Sequence, residues 1–210
     1  MSVTRRDRKL RHQGRVRASD AVPGRRLGAR SDRLVRLQRT WSTASVGETF
    51  RRANNADWEQ TWPIFEAVVR DGDTYPYLPD TPKDEARQMW LSDEAVGRTT
   101  FVAERDGQIV ATSYVKPNAV GLMNHIANAG WMVAPSERGR GLGRRFGEWT
   151  LAEAKNLGFT HMQFNAVVET NEPSIKLWTS LGFEIIGTLP DAFRHTTLGP
   201  TPVHIMYRAL

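Results

Sequence analysis

The chain has no cysteine, which excludes a disulfide framework, a thiolate metal site and a cysteine nucleophile at once. No apolar run approaches the roughly 18 residues of a membrane span, so no membrane partner is expected. The P-loop pattern G-x-x-x-x-G-K-[ST] does not occur. The dinucleotide pattern G-x-G-x-x-G fails because the position three beyond Gly141 is Arg144. No His/Asp/Glu cluster has metal-ligand spacing, so no metal is expected. The first residues alternate arginine with small polar groups and lack the apolar stretch of a secretory signal. A cytoplasmic protein is the expectation.

What is present is unevenly placed. Residues 1–40 carry 13 Lys/Arg against Asp7, Asp20 and Asp32, a balance of +10, while the remaining 170 residues balance at −4. The net charge of +6 therefore belongs to an N-terminal arm. With almost no aromatic or β-branched residues the arm cannot build a core, and disorder is expected over residues 1–47. An arginine-rich arm can touch nucleic acid through phosphates, but a solvated extension is the plainer reading, and no nucleic-acid partner is expected.

The patterned part, residues 48–210, reads as one domain. ETFRRAN has a short strand's composition, and Asn55 or Asp57 can cap a helix over 56–70 that repeats Trp58, Trp62, Phe65, Val68 and Val69 at helical spacing. GDTYPYLPD is a loop. Thr81 before Pro82, with Asp84 and Glu85 following, opens a second helix through Trp90 and Leu91. FVAERDGQIVATSYV gives two strands about a turn at Asp106–Gly107. HIANAGWMV is a strand, and Leu142, Phe146, Trp149, Ala152 and Leu157 mark a helix stopped by Gly158. HMQFNAVV predicts a strand with Met162, Phe164, Ala166 and Val168 on one face. A helix over about 173–181, a strand over 183–189 and a last strand near 203–208 complete a mixed α/β sheet with helices between strands.

The most informative stretch is SERGRGLG at 136–143, between a strand and a helix. Free backbone N–H groups at a helix start and the positive end of its dipole make an anion site. Glycine lets the backbone approach the anion closely. Arg138, Arg140, Arg144 and Arg145 add positive charge, so a phosphate-bearing ligand fits. A purely structural tight turn is the alternative.

R-G-R-G-L-G at 138–143 resembles the Q/R-x-x-G-x-G/A loop of the GNAT acetyltransferase superfamily, and NEPSIKLWTSLGFEIIG at 171–187 is similar to that family's second element. The resemblance covers residues 48–210. It implies the GNAT fold, an α/β (α+β) architecture whose mixed, mostly antiparallel sheet of six to seven strands is splayed in the middle and flanked by about four helices. It implies acetyl transfer from acetyl-CoA to an amine. The backbone of Val133 would pair with the pantetheine arm, and Arg138, Gly139, Arg140, Gly141, Leu142 and Gly143 would hold the diphosphate. Asn171 would bond the pantetheine, with Ser174 nearby. GDTYPY, MQFN and GTLPDAFRH further resemble a subgroup that includes yeast acetyltransferases acting on azetidine-2-carboxylate and related amino acids. The implied acceptor is a small-molecule amine, with a homodimer left open. The alternatives are an acetyltransferase acting on a protein N-terminus or lysine, a non-catalytic acyl-CoA-binding module, and an arm-driven nucleic-acid binder.

Departures from the family matter equally. Many members carry a tyrosine acid where this chain has Trp178, whose indole cannot give up its proton usefully. Trp178 is either core or a cofactor contact. Phosphinothricin-type enzymes place a glutamate base where this chain has Asn128, and an amide has no basic nitrogen. Asn128 and Asn165 would grip the acceptor in one orientation, or else satisfy backbone groups at the splay. His125 is a candidate base and His195 a candidate pocket residue in a loop. Tyr75 and Tyr77 would roof the substrate site or anchor a loop. Direct attack by the amine, without an acetyl-enzyme, is the expected chemistry.

Overall fold

The computed structural model describes residues 47–91 and 93–210. Residues 1–46, and with them the disorder expected of the basic arm, lie outside the described residues. Seven strands form one sheet: β1 (Glu48–Arg52), β2 (Thr99–Arg105), β3 (Gln108–Pro117), β4 (Ile126–Val133), β5 (His161–Val168), β6 (Glu184–His195) and β7 (Gly199–Ala209). Their order is β1-β2-β3-β4-β5-β7-β6. Every neighbouring pair is antiparallel except β4 and β5. Four α-helices accompany them: α1 (Trp58–Arg70), α2 (Lys83–Trp90), α3 (Leu142–Asn156) and α4 (Glu172–Ser180).

Strand alternation divides the core. Phe101 and Val102 are neighbours on β2 and so point to opposite faces, and each is fully buried in a different cluster. One cluster packs Trp58, Phe65 and Val69 of α1 and Trp90 of α2 on Val102 and Met132. The other packs Leu142 and Phe146 of α3 and Trp178 of α4 on Phe101, Met162, Phe164 and Met206. The Asp106–Gly107 turn falls where expected, with φ of 52° and 75°, as a tight two-residue hairpin requires. The cap expected at Asn55 or Asp57 falls one turn earlier: Asn54 and Asp57 cap each other on the short 3-10 turn Asn55–Asp57 leading into α1. Asp57 makes no side-chain cap bond to α1 itself, because its carboxylate is turned to the Asn54 amide and to Arg51 of β1, which grips it with two bonds of 2.8 Å.

Two expectations need correction. Met162, Phe164 and Val168 are buried as predicted, but Ala166 is exposed and Val167 buried. The β5–β7 register shifts between Phe164 and Val167, so a bulge leaves Asn165 and Ala166 side by side in solvent and resets the alternation. Strand β6 runs on to His195 rather than ending near 189. A register shift between Leu189 and Phe193 absorbs Pro190 and Asp191, the latter at φ 53°. The predicted loop is thus an irregular strand paired with β7.

Candidate functional site

The sheet opens between its only parallel pair. β4 pairs β3 from Ala127 to Val133, but pairs β5 only at Ile126 and Ala127. Beyond that point bulky side chains lie between the strands. The Trp131 ring is 5.5 Å from Phe164 and 4.5 Å from Trp178, centroid to centroid. At the first position past the last ladder pair, Asn128 Nδ2 donates to the Gln163 carbonyl at 2.9 Å. A side chain takes over where the backbone ladder stops. Asn128 therefore meets a backbone group at the splay, as one of its two readings required.

At the far end of β4 the glycine loop enters α3. Gly139 and Gly141 sit at φ 76° and 74°, values that strain any residue with a Cβ. Gly141 is the helix N-cap, and no side chain caps the first turn. Its amides point outward under the positive end of the dipole, which is the donor set a diphosphate needs. Leu142 is fully buried and anchors the helix start, whereas Gly143 has ordinary backbone and lies close to Leu177 and Val133. Arg138, Arg140 and Arg144 are exposed beside the loop. Arg144 also reaches Glu148 at 2.9 Å and Ser180 at 2.7 Å.

Arg145 differs from the other three. Its guanidinium clamps Glu48 of β1 through bonds of 3.1 and 2.8 Å and donates to the Arg140 carbonyl at 3.1 Å. Glu48 also accepts from Arg105, which in turn donates to Glu137 at 2.6 Å. The Glu48 side chain is 2% exposed. Burial pushes its carboxyl upward, but the bonds from Arg145 and Arg105 prevail and hold it below the usual carboxylate value. Arg145 thus holds the loop's shape rather than adding free charge to it. The sequence reading missed Glu48, Arg105 and Glu137, because their partners are up to 97 residues away.

The remaining family positions are consistent with a pantetheine thioester in the opening. Asn171 Oδ1 caps α4 by accepting from the Ser174 amide at 3.3 Å, which leaves its Nδ2 as a donor. Val133 ends β4 opposite Ala111. Trp131 Nε1 is buried and unmatched by any acceptor of the described residues, as a donor intended for a bound group would be. Trp178 is 6% exposed and wedged among Trp131, Phe164 and Phe183, so it is a core ring on the wall of the opening.

The face carrying α1 and α2 offers phenols and amides. Tyr75 Oη donates to the Trp131 carbonyl at 2.8 Å, and its ring stacks on Tyr77 at 5.8 Å. Tyr114, absent from the sequence reading, completes the group against Trp90 at 4.9 Å. Gly130 makes room for them, since a Cβ there would stand 2.8 Å from Tyr114 and 3.2 Å from Tyr75 Oη. A glycine within a predicted strand was the available signal. Burial first, then the neighbouring phenol charges, pushes Tyr75 far up; burial likewise raises Tyr77 and Tyr114. The phenols are therefore neutral donors, not bases. Alongside them runs a chain of amides: Gln163 Nε2 donates to Asn165 Oδ1 at 2.9 Å, and Asn165 Nδ2 to Asn118 Oδ1 at 2.8 Å. Gln163 thus links the two candidate amides, by its carbonyl to Asn128 and by its side chain to Asn165.

The two histidines stand apart. His125 is exposed just before β4, at the end where β4 and β5 remain paired, about 10 Å along the chain from Asn128 at strand rise. His195 ends β6, and its Nδ1 accepts from the Thr197 and Leu198 amides at 3.2 and 3.4 Å. It staples the β6–β7 turn, whose Thr196 bonds the Asp71 carbonyl at the start of the tyrosine loop.

The same combination of fold and loop recurs in known proteins. The N-acetyltransferase aca1 of Schizosaccharomyces pombe is 41% identical over 86 residues, a match spanning 41% of this chain and 41% of that protein. A GCN5-related N-acetyltransferase from Kribbella flavida is 41% identical with a TM-score of 0.74, over 78% of this chain and 98% of that one. A phosphinothricin acetyltransferase from Sinorhizobium meliloti, solved in complex with AcCoA, shares the fold at 22% identity and a TM-score of 0.70, over 78% and 88% of the two chains. The model of the acetyltransferase (GNAT) family matches residues 56–183, and with its splayed sheet and glycine loop the chain belongs to that family.

Proposed function

We propose that the protein is an acetyl-CoA-dependent N-acetyltransferase that modifies the amine of a small molecule, an amino acid or analogue. The observation that carries this reading is one opening flanked by two different chemistries. A glycine anion loop lies at the end of β4, and linked amides and neutral phenols line the α1/α2 face. A donor held at the α3 start and threaded between β4 and β5 would present its reactive end to that second face.

Acetyl-CoA supplies the acetyl group as an activated thioester. Arg138, Arg140 and the amides of Gly139–Gly143 hold its diphosphate. The strand edge of β4 beyond Ala127, free of β5, pairs with the arm. Asn128 and Asn165 orient the acceptor amine, and orientation alone contributes several kcal/mol of barrier lowering. The neutral amine attacks directly; the new C–N bond forms as the C–S bond breaks, and the amine proton passes to water. No base is assigned in this reading: Asn128 is an amide, burial pushes the phenols up, and the β5 histidine, His161, lies at the end where β4 and β5 remain paired. Trp131 Nε1, buried and without an acceptor among the described residues, would be available as a donor to the departing thiolate.

The test is an amine panel assayed for thiol release and for acetylated products by mass spectrometry. Acetylation of free amino acids supports the reading. Turnover only of peptide N-termini or lysines would establish the alternative acceptor. Acetyl-CoA binding without any turnover would leave a non-catalytic binding module.

A further inference from the structure

The acceptor face has a charge balance that the amides do not explain. β3, β4, β5 and the segment 118–125 contain no Asp or Glu, and their one Lys or Arg is Lys116. Lys116 stands opposite Asn128 in the antiparallel register, and directly opposed residues point to the same face with Cβ atoms about 5 Å apart. Tyr114 and Asn118, two residues to either side of Lys116, belong to the phenol and amide groups already described. Lys116 Nζ lies 6.0 Å from the centre of the Tyr114 ring. Arg98, the other cation felt by the Tyr77 and Tyr114 phenols, meets the Asp93 carboxylate at 3.6 Å, whereas Lys116, half-buried, makes no ion pair among the described residues. A cation without a counter-charge, set among amides and protonated phenols, attracts an anionic group and repels a second cation.

We infer that Lys116 is the counter-charge for a carboxylate on the acceptor. The substrate class is then an amine bearing a carboxylate, a free amino acid or analogue, rather than a polyamine or the amine of a peptide. This rests on the function proposed above and adds a residue and a selectivity to it. The lysine fixes the carboxylate end, the Asn128–Gln163–Asn165 amides fix the amine end, and the amine is left facing the opening between β4 and β5.

The experiment compares azetidine-2-carboxylate with azetidine-2-carboxamide, corrected to equal concentrations of neutral amine. Wild-type kcat/KM should favour the acid at least tenfold. Lys116→Met should lower kcat/KM for the acid at least tenfold more than for the carboxamide, with the KM of acetyl-CoA within twofold of wild type as evidence of an intact fold. Lys116→Arg should retain most of the preference. Equal use of acid and carboxamide by the wild type, or equal losses on both in Lys116→Met, overturns the inference and leaves the acetyltransferase reading standing. A wild type that binds acetyl-CoA but acetylates no carboxylate-bearing amine overturns the amino-acid reading itself, and this inference with it.

Discussion

Gly141 is the residue on which the proposed cofactor site depends most. At φ 74° its backbone suits glycine, and a Cβ there would meet Arg145 Nη1 at 3.1 Å. Gly141→Val should raise the KM of acetyl-CoA tenfold or more while leaving the amine KM little changed. Undiminished cofactor affinity, read by calorimetry, would remove the loop from the site. At the proposed acceptor end Asn128 and Asn165 differ, one buried on a backbone carbonyl and the other exposed in an amide chain. Asn165→Ala should lower kcat/KM for the amine by about 10-fold to 100-fold and spare both melting temperature and acetyl-CoA affinity. Asn128→Ala should do the same and also destabilise, because the Gln163 carbonyl loses its donor, at a cost of about 1–3 kcal/mol. Loss of stability without a kinetic effect in both variants would mean that the amides only satisfy the sheet.

At the scale of elements, the anion loop is held from outside itself. β1 supplies Glu48, β2 supplies Arg105, the turn after β4 supplies Glu137, and the first turns of α3 supply Arg145. Removing the shared carboxylate in Glu48→Gln leaves two guanidiniums short of a partner. The expected result is a lower melting temperature in Glu48→Gln, moderated because the Arg145 side chain is 39% exposed. The pH dependence has a definite sign. Glu48 is held below its ordinary 4.5 in the fold, so its contribution is present above that value and lost as pH falls through the folded one. Thermal melts from pH 6 to pH 3 should therefore fall less steeply in Glu48→Gln than in wild type. An identical slope would show that the carboxylate is not tuned by its arginines. The loop role predicts one thing more, a raised acetyl-CoA KM with an unchanged amine KM.

For the molecule as a whole, direct attack without a protein base, as proposed above, implies a definite pH profile. A free amino-acid amine titrates near pH 9 to 10, and the raised phenols remain neutral throughout that range. Below the amine's own pKa, kcat/KM should climb about tenfold per pH unit and level off only there. A plateau well below the amine's own pKa that vanishes in His125→Ala would make the histidine the base, despite its place at the paired end of β4.

Much of this was legible in order along the chain. The glycine loop, the Asp106–Gly107 turn, the helical spacing of α1 and α3 and the family motifs are local signals, fixed by backbone freedom and hydrophobic period within a few residues. Asn128 and Asn165 stood out because relatives place a carboxylate at the first of these positions. The sequence could not place the bulge at Asn165–Ala166 or the extension of β6 to His195, since both depend on register with β7. It could not assign Arg145 to Glu48 or gather Tyr114, Gln163 and Asn118 beside the amides. Those decisions belong to the tertiary structure, because hydrogen bonds, ion pairs and ring contacts act over a few ångströms in space, and only the assembled sheet and helices bring residues 50 to 100 positions apart within that reach.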